Sequence, residues 1–257
     1  MKYIGTAVTD VGLRRQTNQD SVCLKIVEYG EGRQIAMAII CDGMGGLNKG
    51  EVASASVIQT FDRWFDRTLP HRLDNYNRQA VANEWSQLLR QENQRILNYG
   101  KAHHLTLGTT FTGILIVDQT FFIAHVGDTR VYRIDQTMRQ LTEDHTFIAR
   151  EIKLGRMTRE QARSDHRRHV LLQCVGASKE VRPQIVFGDV LDHHVFILCS
   201  DGFRNKLSFE EIHGSYESQQ LRDVNAIARI SQELIRRVKE RQEQDNISVA
   251  VLKCQQV

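Results

Sequence analysis

An unbroken apolar run, Ile35 through Cys41, ends in Asp42-Gly43-Met44-Gly45-Gly46. A continuous apolar stretch bounded by a glycine-rich break reads as a strand buried on both faces, here over 34–41. A carboxylate at the tip of such a strand is costly unless a cation, a metal or a set of donors receives it. The glycines allow a close approach of the backbone, so the Gly43 carbonyl would face the same ion as Asp42. Taken alone, Asp-Gly is also the signature of a plain turn.

The pattern recurs. His194 to Ser200 runs into Asp201-Gly202, and Phe121 to Gly127 runs into Asp128. Asp245 opens the apolar stretch Ile247–Leu252, and Asp20 opens Ser21–Val27. Five strands thus carry an aspartate at one tip. Packed side by side, they would bring several carboxylates to one end of the core, where they repel unless divalent cations sit between them. The expectation is a metal centre.

Between these strands, helical spacing links Val52, Val57, Phe61, Trp64 and Phe65, up to about Leu69-Pro70. A second apolar stripe joins Val81, Trp85, Leu88, Leu89 and Ile96, and a third runs from Val224 to Val238. Further strands are expected at 3–9, 108–118, 121–127, 129–135, 184–190 and 246–253. The stretch 141–177 is polar and rich in Arg and His, with short helical signals near 147–154 and 159–163. Strands, two helices, strands, then a helix and a strand do not alternate as βαβ units do. The fold class is therefore α+β, a layered sandwich of antiparallel sheets with helices on the outer faces. With no internal repeat and no linker in 257 residues, a single domain over 1–257 is expected.

A net charge of +3 is too mild to argue for nucleic acid or an anionic membrane surface. The five cysteines show no Cys-x-x-Cys, and their odd number suits a reducing cytosol. No secretory segment and no stretch of ~18 apolar residues is present, so a cytoplasmic protein without membrane anchorage is expected. Nothing demands more than a monomer.

The acids and their surroundings, taken in order, resemble the metal-dependent type-2C protein serine/threonine phosphatases, the PPM family, in their bacterial form. Arg15-Gln16-Thr17-Asn18-Gln19-Asp20 looks like that family's opening motif. Asp42-Gly43-Met44-Gly45-Gly46, Gly108-Thr109-Thr110, Gly127-Asp128-Thr129-Arg130, Leu141-Thr142-Glu143-Asp144-His145, Ser200-Asp201-Gly202 and Asp245-Asn246 follow in the family's order. The resemblance implies a four-layer α-β-β-α sandwich with a dinuclear Mg2+ or Mn2+ centre at one end. Carried over by position, Asp42 would bridge both ions and the Gly43 carbonyl would bind one. Asp20, Asp201 and Asp245 would complete the set, Asp128 would help hold a third, weaker ion, and Arg15 would grip the substrate phosphate. An all-oxygen donor set agrees, since it favours hard cations over zinc. The implied reaction is hydrolysis of phosphoserine or phosphothreonine by a hydroxide bridging two ions about 3.5–4 Å apart. The implied partners are phosphorylated proteins, a Ser/Thr kinase and that kinase's substrates. The alternative is a pseudophosphatase, a phosphoprotein-binding module on the same fold.

Three departures stand out. Met44 replaces a histidine of many animal members, proposed there as the general acid, and Leu47 replaces one that many bacterial members carry. His145 and His166 are then the candidate acids. Gln19 replaces a glutamate and should weaken metal binding. The basic run Arg163 to His169 falls in the family's flap, here at about 141–177, where Arg167 and Arg168 would guide phosphorylated loops.

Overall fold

The run at 35–41 is buried because both its faces are covered. In the computed structural model, which describes residues 1–30, 32–44 and 49–256, it forms β3 (Arg33–Met44). Met37, Ile39 and Cys41 face one apolar cluster, and Ala36, Ala38 and Ile40 face another. A strand buried on both sides loses the alternation of a half-exposed one.

Before β3 come β1 (Lys2–Asp10) and β2 (Asp20–Tyr29). After it come α1 (Gly50–Arg67), a 3-10 turn at Leu69–Arg72, and α2 (Arg78–His103). Then follow β4 (Gly108–Thr109), β5 (Phe111–Val117), β6 (Thr120–Val126), β7 (Arg130–Ile134) and β8 (Met138–Gln140). The polar segment holds α3 (Phe147–Lys153) and α4 (Arg159–Ser164), each begun by a threonine cap. Last are β9 (Gln184–Asp189), β10 (Val195–Cys199), α5 (Asp201–Arg204), α6 (Phe209–Ser215), α7 (Val224–Glu240) and β11 (Ile247–Gln255).

One sheet has the order β1-β11-β10-β7-β8; the other runs β2-β3-β5-β6-β9, with β4 also on β3. Their strand pairs are antiparallel. Three apolar clusters separate four layers. One, around Phe61, Trp85 and Phe111, lies between α1 and α2 and the second sheet. One lies between the sheets, and one joins the first sheet to α6 and α7 through Ile212, Ile227, Leu234 and Val238. This is the expected α-β-β-α sandwich. Trp85 anchors the helical side, its ring edge-on to Phe61 at 4.9 Å and to Trp64 at 5.5 Å, contacts worth about 0.5–1.5 kcal/mol each beyond burial.

One expectation needs correcting. The sequence reading ended β3 at 41 and placed Asp42 in a loop, but the strand continues to Met44. Asp42 pairs across from Asp20, and Gly43 and Met44 pair with Thr109 and Gly108 of β4. The expected strand 108–118 is divided at Thr110 into β4 and β5, and only its first two residues meet the tip of β3. The short elements β8, α5 and α6 were not expected. Gly45, Gly46 and Leu47 lie outside the described residues.

Behind β4 runs a strap. Thr109 and Val175 exchange backbone hydrogen bonds of 2.8 Å. Asn93 of α2 pins that strap, accepting from the Gly176 N–H at 2.7 Å and donating to the Ser178 carbonyl at 3.0 Å. The far end of the 141–177 segment is thereby tied to the strand that carries Asp42.

Candidate metal centre

The antiparallel register places Asp20 opposite Asp42. The Asp42 backbone is fixed on both sides: its N–H donates to Thr110 Oγ1 at 2.9 Å. Its carbonyl accepts from the Thr110 N–H at 2.9 Å and from Thr109 Oγ1 at 3.0 Å. Gly43 N–H donates to the Gln19 carbonyl at 3.1 Å, closing the start of β2 onto the end of β3. Asp201 is the first residue of α5, where a helix N-terminus favours negative charge. Asp245 precedes β11. Its neighbour Asn246 stitches the 11–19 loop in place, accepting from the Gln19 N–H at 2.9 Å and donating to the Val11 and Thr17 carbonyls.

The five aspartates therefore meet at one end of the sandwich. Burial first, and then the charges of Asp20, Asp201, Asp128 and Asp245, push the Asp42 carboxyl well above the ordinary range. Burial likewise raises Asp20 to about 7, with Asp201 and Asp245 adding to it. Asp128 also rises to about 7, from burial and then Asp201. Asp20 is 7% exposed, and among the described residues neither of its carboxylate oxygens has a hydrogen-bond partner, nor does Asp201 Oδ1. The nearby hydroxyls of Ser248 and Ser200 ease the Asp20 shift without cancelling it; Ser200 Oγ also accepts from the Ser248 N–H, and Ser248 Oγ pairs with Thr9. Orphaned carboxylate oxygens in a repelling cluster fit a hard cation.

Among the described residues no three Asp, Glu, His or Cys side chains already close on one point. Asp245 is held by Arg15, whose Nε and Nη2 donate to its two oxygens at 3.0 and 3.1 Å. Both Asp245 and Arg15, expected as a metal ligand and as the phosphate grip, thus sit at the rim as a pair. The Gly43 carbonyl belongs to the same strand tip.

An outer shell, assigned no role from the sequence, surrounds Asp128. Arg130 donates from Nε and Nη2 to Asp144 at 2.8 and 2.7 Å, and Arg204 reaches both Asp128 and Asp144. Behind it lies a buried polar chain. His125 Nε2–H donates to the Glu143 carbonyl at 3.1 Å, which leaves Nδ1 to accept from Thr112 Oγ1 at 2.8 Å. Thr112 meets Thr129, and Thr129 meets Thr110 at 3.3 Å, under the Asp42 N–H. Burial holds His125 neutral, its pKa pushed down to about 3. Membership of Arg130, Thr129 and Asp144 in the quoted motifs was the signal available; His125 and Arg204 gave none.

Neither candidate acid is poised over the carboxylates. His145 Nδ1 accepts from the Gly127 N–H at 3.2 Å and from Gln173 at 2.9 Å, so it holds the 127–129 turn. The His166 side chain is 89% exposed, beside Asp165. Arg167 is spent as well, bidentate on Asp165 and 4.2 Å from the Phe147 ring centroid.

The raised acids set a pH dependence whose sign can be worked out. An unfolded chain releases these protons near 3.8, whereas folded Asp20 and Asp128 keep theirs to about 7. Across that window the native state binds more protons, so stability falls as pH rises. His125, His145 and His194, each held below the ordinary 6.5 by burial, oppose this increasingly as pH falls toward 6.5, where the unfolded chain gains protons that the native state refuses. Between pH 8 and 7 that opposition is small and the acids dominate. With EDTA present, Tm should rise by about 2 °C over that step. Excess Mg2+ should flatten the rise, because cations replace the protons. A Tm that drops between pH 8 and 7 in EDTA would contradict the carboxylate cluster.

Comparison with known proteins gives the same direction. A family model described as protein phosphatase 2C matches residues 12–251. Protein phosphatase PhpP of Streptococcus pneumoniae is 32% identical over 211 residues, which is 80% of each chain. The serine/threonine phosphatase of S. agalactiae superimposes with a TM-score of 0.85 at 27% identity, covering 98% of this chain and 100% of that one. The catalytic domain of the phosphatase PstP in complex with two manganese ions gives 0.77 at 28% identity, covering 99% of each chain. On these matches, and on the site the five aspartates build, the chain belongs to the protein phosphatase 2C family.

Proposed function

We propose that this chain is a metal-dependent protein serine/threonine phosphatase, a single catalytic domain over 1–257 with 141–177 as the flap beside its site. The observation that carries the reading is the convergence of Asp20, Asp42, Asp201 and Asp245 from four separate segments, with buried carboxylate oxygens left unpartnered. Two divalent cations, Mg2+ or Mn2+, supply Lewis acidity and activation of water near neutral pH when bound. Asp42 would bridge them, the Gly43 carbonyl would serve one, and Asp20, Asp201 and Asp245 would complete the set. Asp245 is held by the Arg15 fork at the rim, so an ion taking Asp245 would compete with that pair. The Arg15 guanidinium would offer its fork to two phosphoryl oxygens, a planar match that lysine cannot make. Asp42 needs a fixed position for this, and Thr109 and Thr110 supply it through its own N–H and C=O. With Arg167 bidentate on Asp165, substrate guidance by the flap falls to Arg168, whose guanidinium meets His169 and the Arg163 carbonyl rather than a carboxylate.

The substrates we infer are phosphorylated proteins, a Ser/Thr kinase among them, met by a cytoplasmic monomer. The free cysteines, four of them buried, suit a reducing compartment. No helix among the described residues is long and apolar enough to cross a membrane. The pseudophosphatase alternative lacks its usual mark, since the four core aspartates are in place.

The direct test is phosphate release from a phosphothreonine peptide and from p-nitrophenyl phosphate. Both should turn over with Mn2+ or Mg2+ and stop with EDTA. Folded protein that binds the phosphopeptide without hydrolysing it under any divalent ion would replace the enzyme by a binding module.

A further inference from the structure

Arg204 ends α5, three residues after Asp201, and its side chain is 14% exposed. Its Nη2 donates to the Asp128 carbonyl at 3.1 Å and lies 3.8 Å from Asp128 Oδ2 and 3.9 Å from Asp144 Oδ2. Nη1 donates to Asn205 Oδ1 at 3.4 Å, and Asn205 Nδ2 donates to Asp201 Oδ2 at 3.4 Å. The guanidinium is therefore tethered from two directions between Asp201 and Asp128. Asp144 is satisfied independently by the Arg130 fork. Asp128, Asp144, Arg130 and Arg204 together form a quartet of two carboxyl groups and two guanidinium groups.

We propose that Arg204 is a resident cation on the Asp128 side of the centre, filling with a fixed guanidinium the place that a third divalent ion would take. The proposal rests on the two-ion reading above and refines it: this chain loads two ions and excludes a third. The physical reason is charge. An ion ligated by Asp128 at the usual ~2–2.5 Å would stand within a few ångströms of Arg204. At that separation, in a partly buried site, repulsion between a divalent ion and a unit charge is worth well over a factor of ten in affinity. Solvent screening is weak there because the four side chains lie largely inside. A lysine would preserve the charge, whereas glutamine would remove it at similar length.

The experiment counts Mn2+ bound to the full chain by titration calorimetry and by electron paramagnetic resonance of free Mn2+. Wild type should bind two ions, with any third at least ~100-fold weaker. Arg204→Gln should bind the third at least ~10-fold more tightly while leaving the first two within about threefold. Arg204→Lys should behave as wild type, and Arg204→Gln/Asp128→Asn should lose the third ion again. An unchanged third affinity in Arg204→Gln overturns the proposal. So does a wild-type third ion held as tightly as the first two, a result that needs no variant to fold. Wild type that binds no Mn2+ at all overturns the two-ion reading itself, and is distinguishable from either.

Discussion

Asp42→Asn should abolish phosphatase turnover, lowering kcat/KM by at least ~10³-fold, and at the same time make the metal-free protein more stable. The two effects share one cause. Asparagine matches aspartate in shape and leaves the backbone bonds to Thr109 and Thr110 untouched. What it removes is a negative charge facing four others. A folded-state pKa raised above the unfolded value means that the ionised group opposes folding at neutral pH, so its removal is a gain. In EDTA the variant's Tm should rise by about 4 °C, the equivalent of roughly 1–2 kcal/mol at this size. With Mn2+ the order should reverse, because wild type is stabilised by its ions and the variant has lost the oxygen shared by both. Turnover above a tenth of wild type, or a variant that still gains as much stability from Mn2+, would remove Asp42 from the centre.

That trade explains which parts of the site were legible before the structure. An aspartate at the end of an apolar run conflicts with the core beside it, and such conflicts mark functional positions. Asp20, Asp42, Asp128, Asp201 and Asp245 each show it. The buried run at 35–41 was legible because a strand covered on both faces drops its alternation, and α1, α2 and α7 announced themselves by helical stripes. Register was not legible. That Asp20 stands opposite Asp42 follows from pairing along the whole of β2 and β3, which local pattern does not contain. The Arg130–Asp144 pair spans fourteen positions and the Arg204–Asp128 contact seventy-six. Guanidinium groups are common surface residues in sequence, and only the fold shows that these two are enclosed. The surroundings of His145 and Arg167 were hidden for the same reason. His145 Nδ1 is committed to Gly127 and Gln173, and Nε and Nη2 of Arg167 to Asp165.

Gly43→Ala should be strongly destabilising. No unusual backbone angle requires glycine there; space does. A Cβ at 43 would stand 2.4 Å from the Gln19 carbonyl oxygen, 2.5 Å from the Gly50 oxygen and 2.6 Å from the Gly50 carbonyl carbon. All three are backbone, so no side chain can swing away. Gly50 is the reciprocal half of the contact, its own Cβ falling 2.7 Å from the Gly43 carbonyl carbon and oxygen. Three segments meet at this point: the entry to β2, the end of β3 and the first turn of α1. A methyl group must part them, and parting them moves the Gly43 carbonyl away from the ion it is proposed to serve. Overpacking of this kind costs about 3 kcal/mol, which at this chain length lowers Tm by about 9 °C. Mn2+ affinity should fall about tenfold with it, as when support around a metal ligand is lost. Gly214→Ala is the control, because a Cβ at that position in α6 meets nothing within 4 Å and the helix gains up to ~1 kcal/mol from alanine. If Gly43→Ala melts within about 2 °C of wild type while Gly214→Ala behaves as stated, the three-way backbone contact is looser than drawn. The Gly43 carbonyl would then lose its claim to a fixed place at the centre.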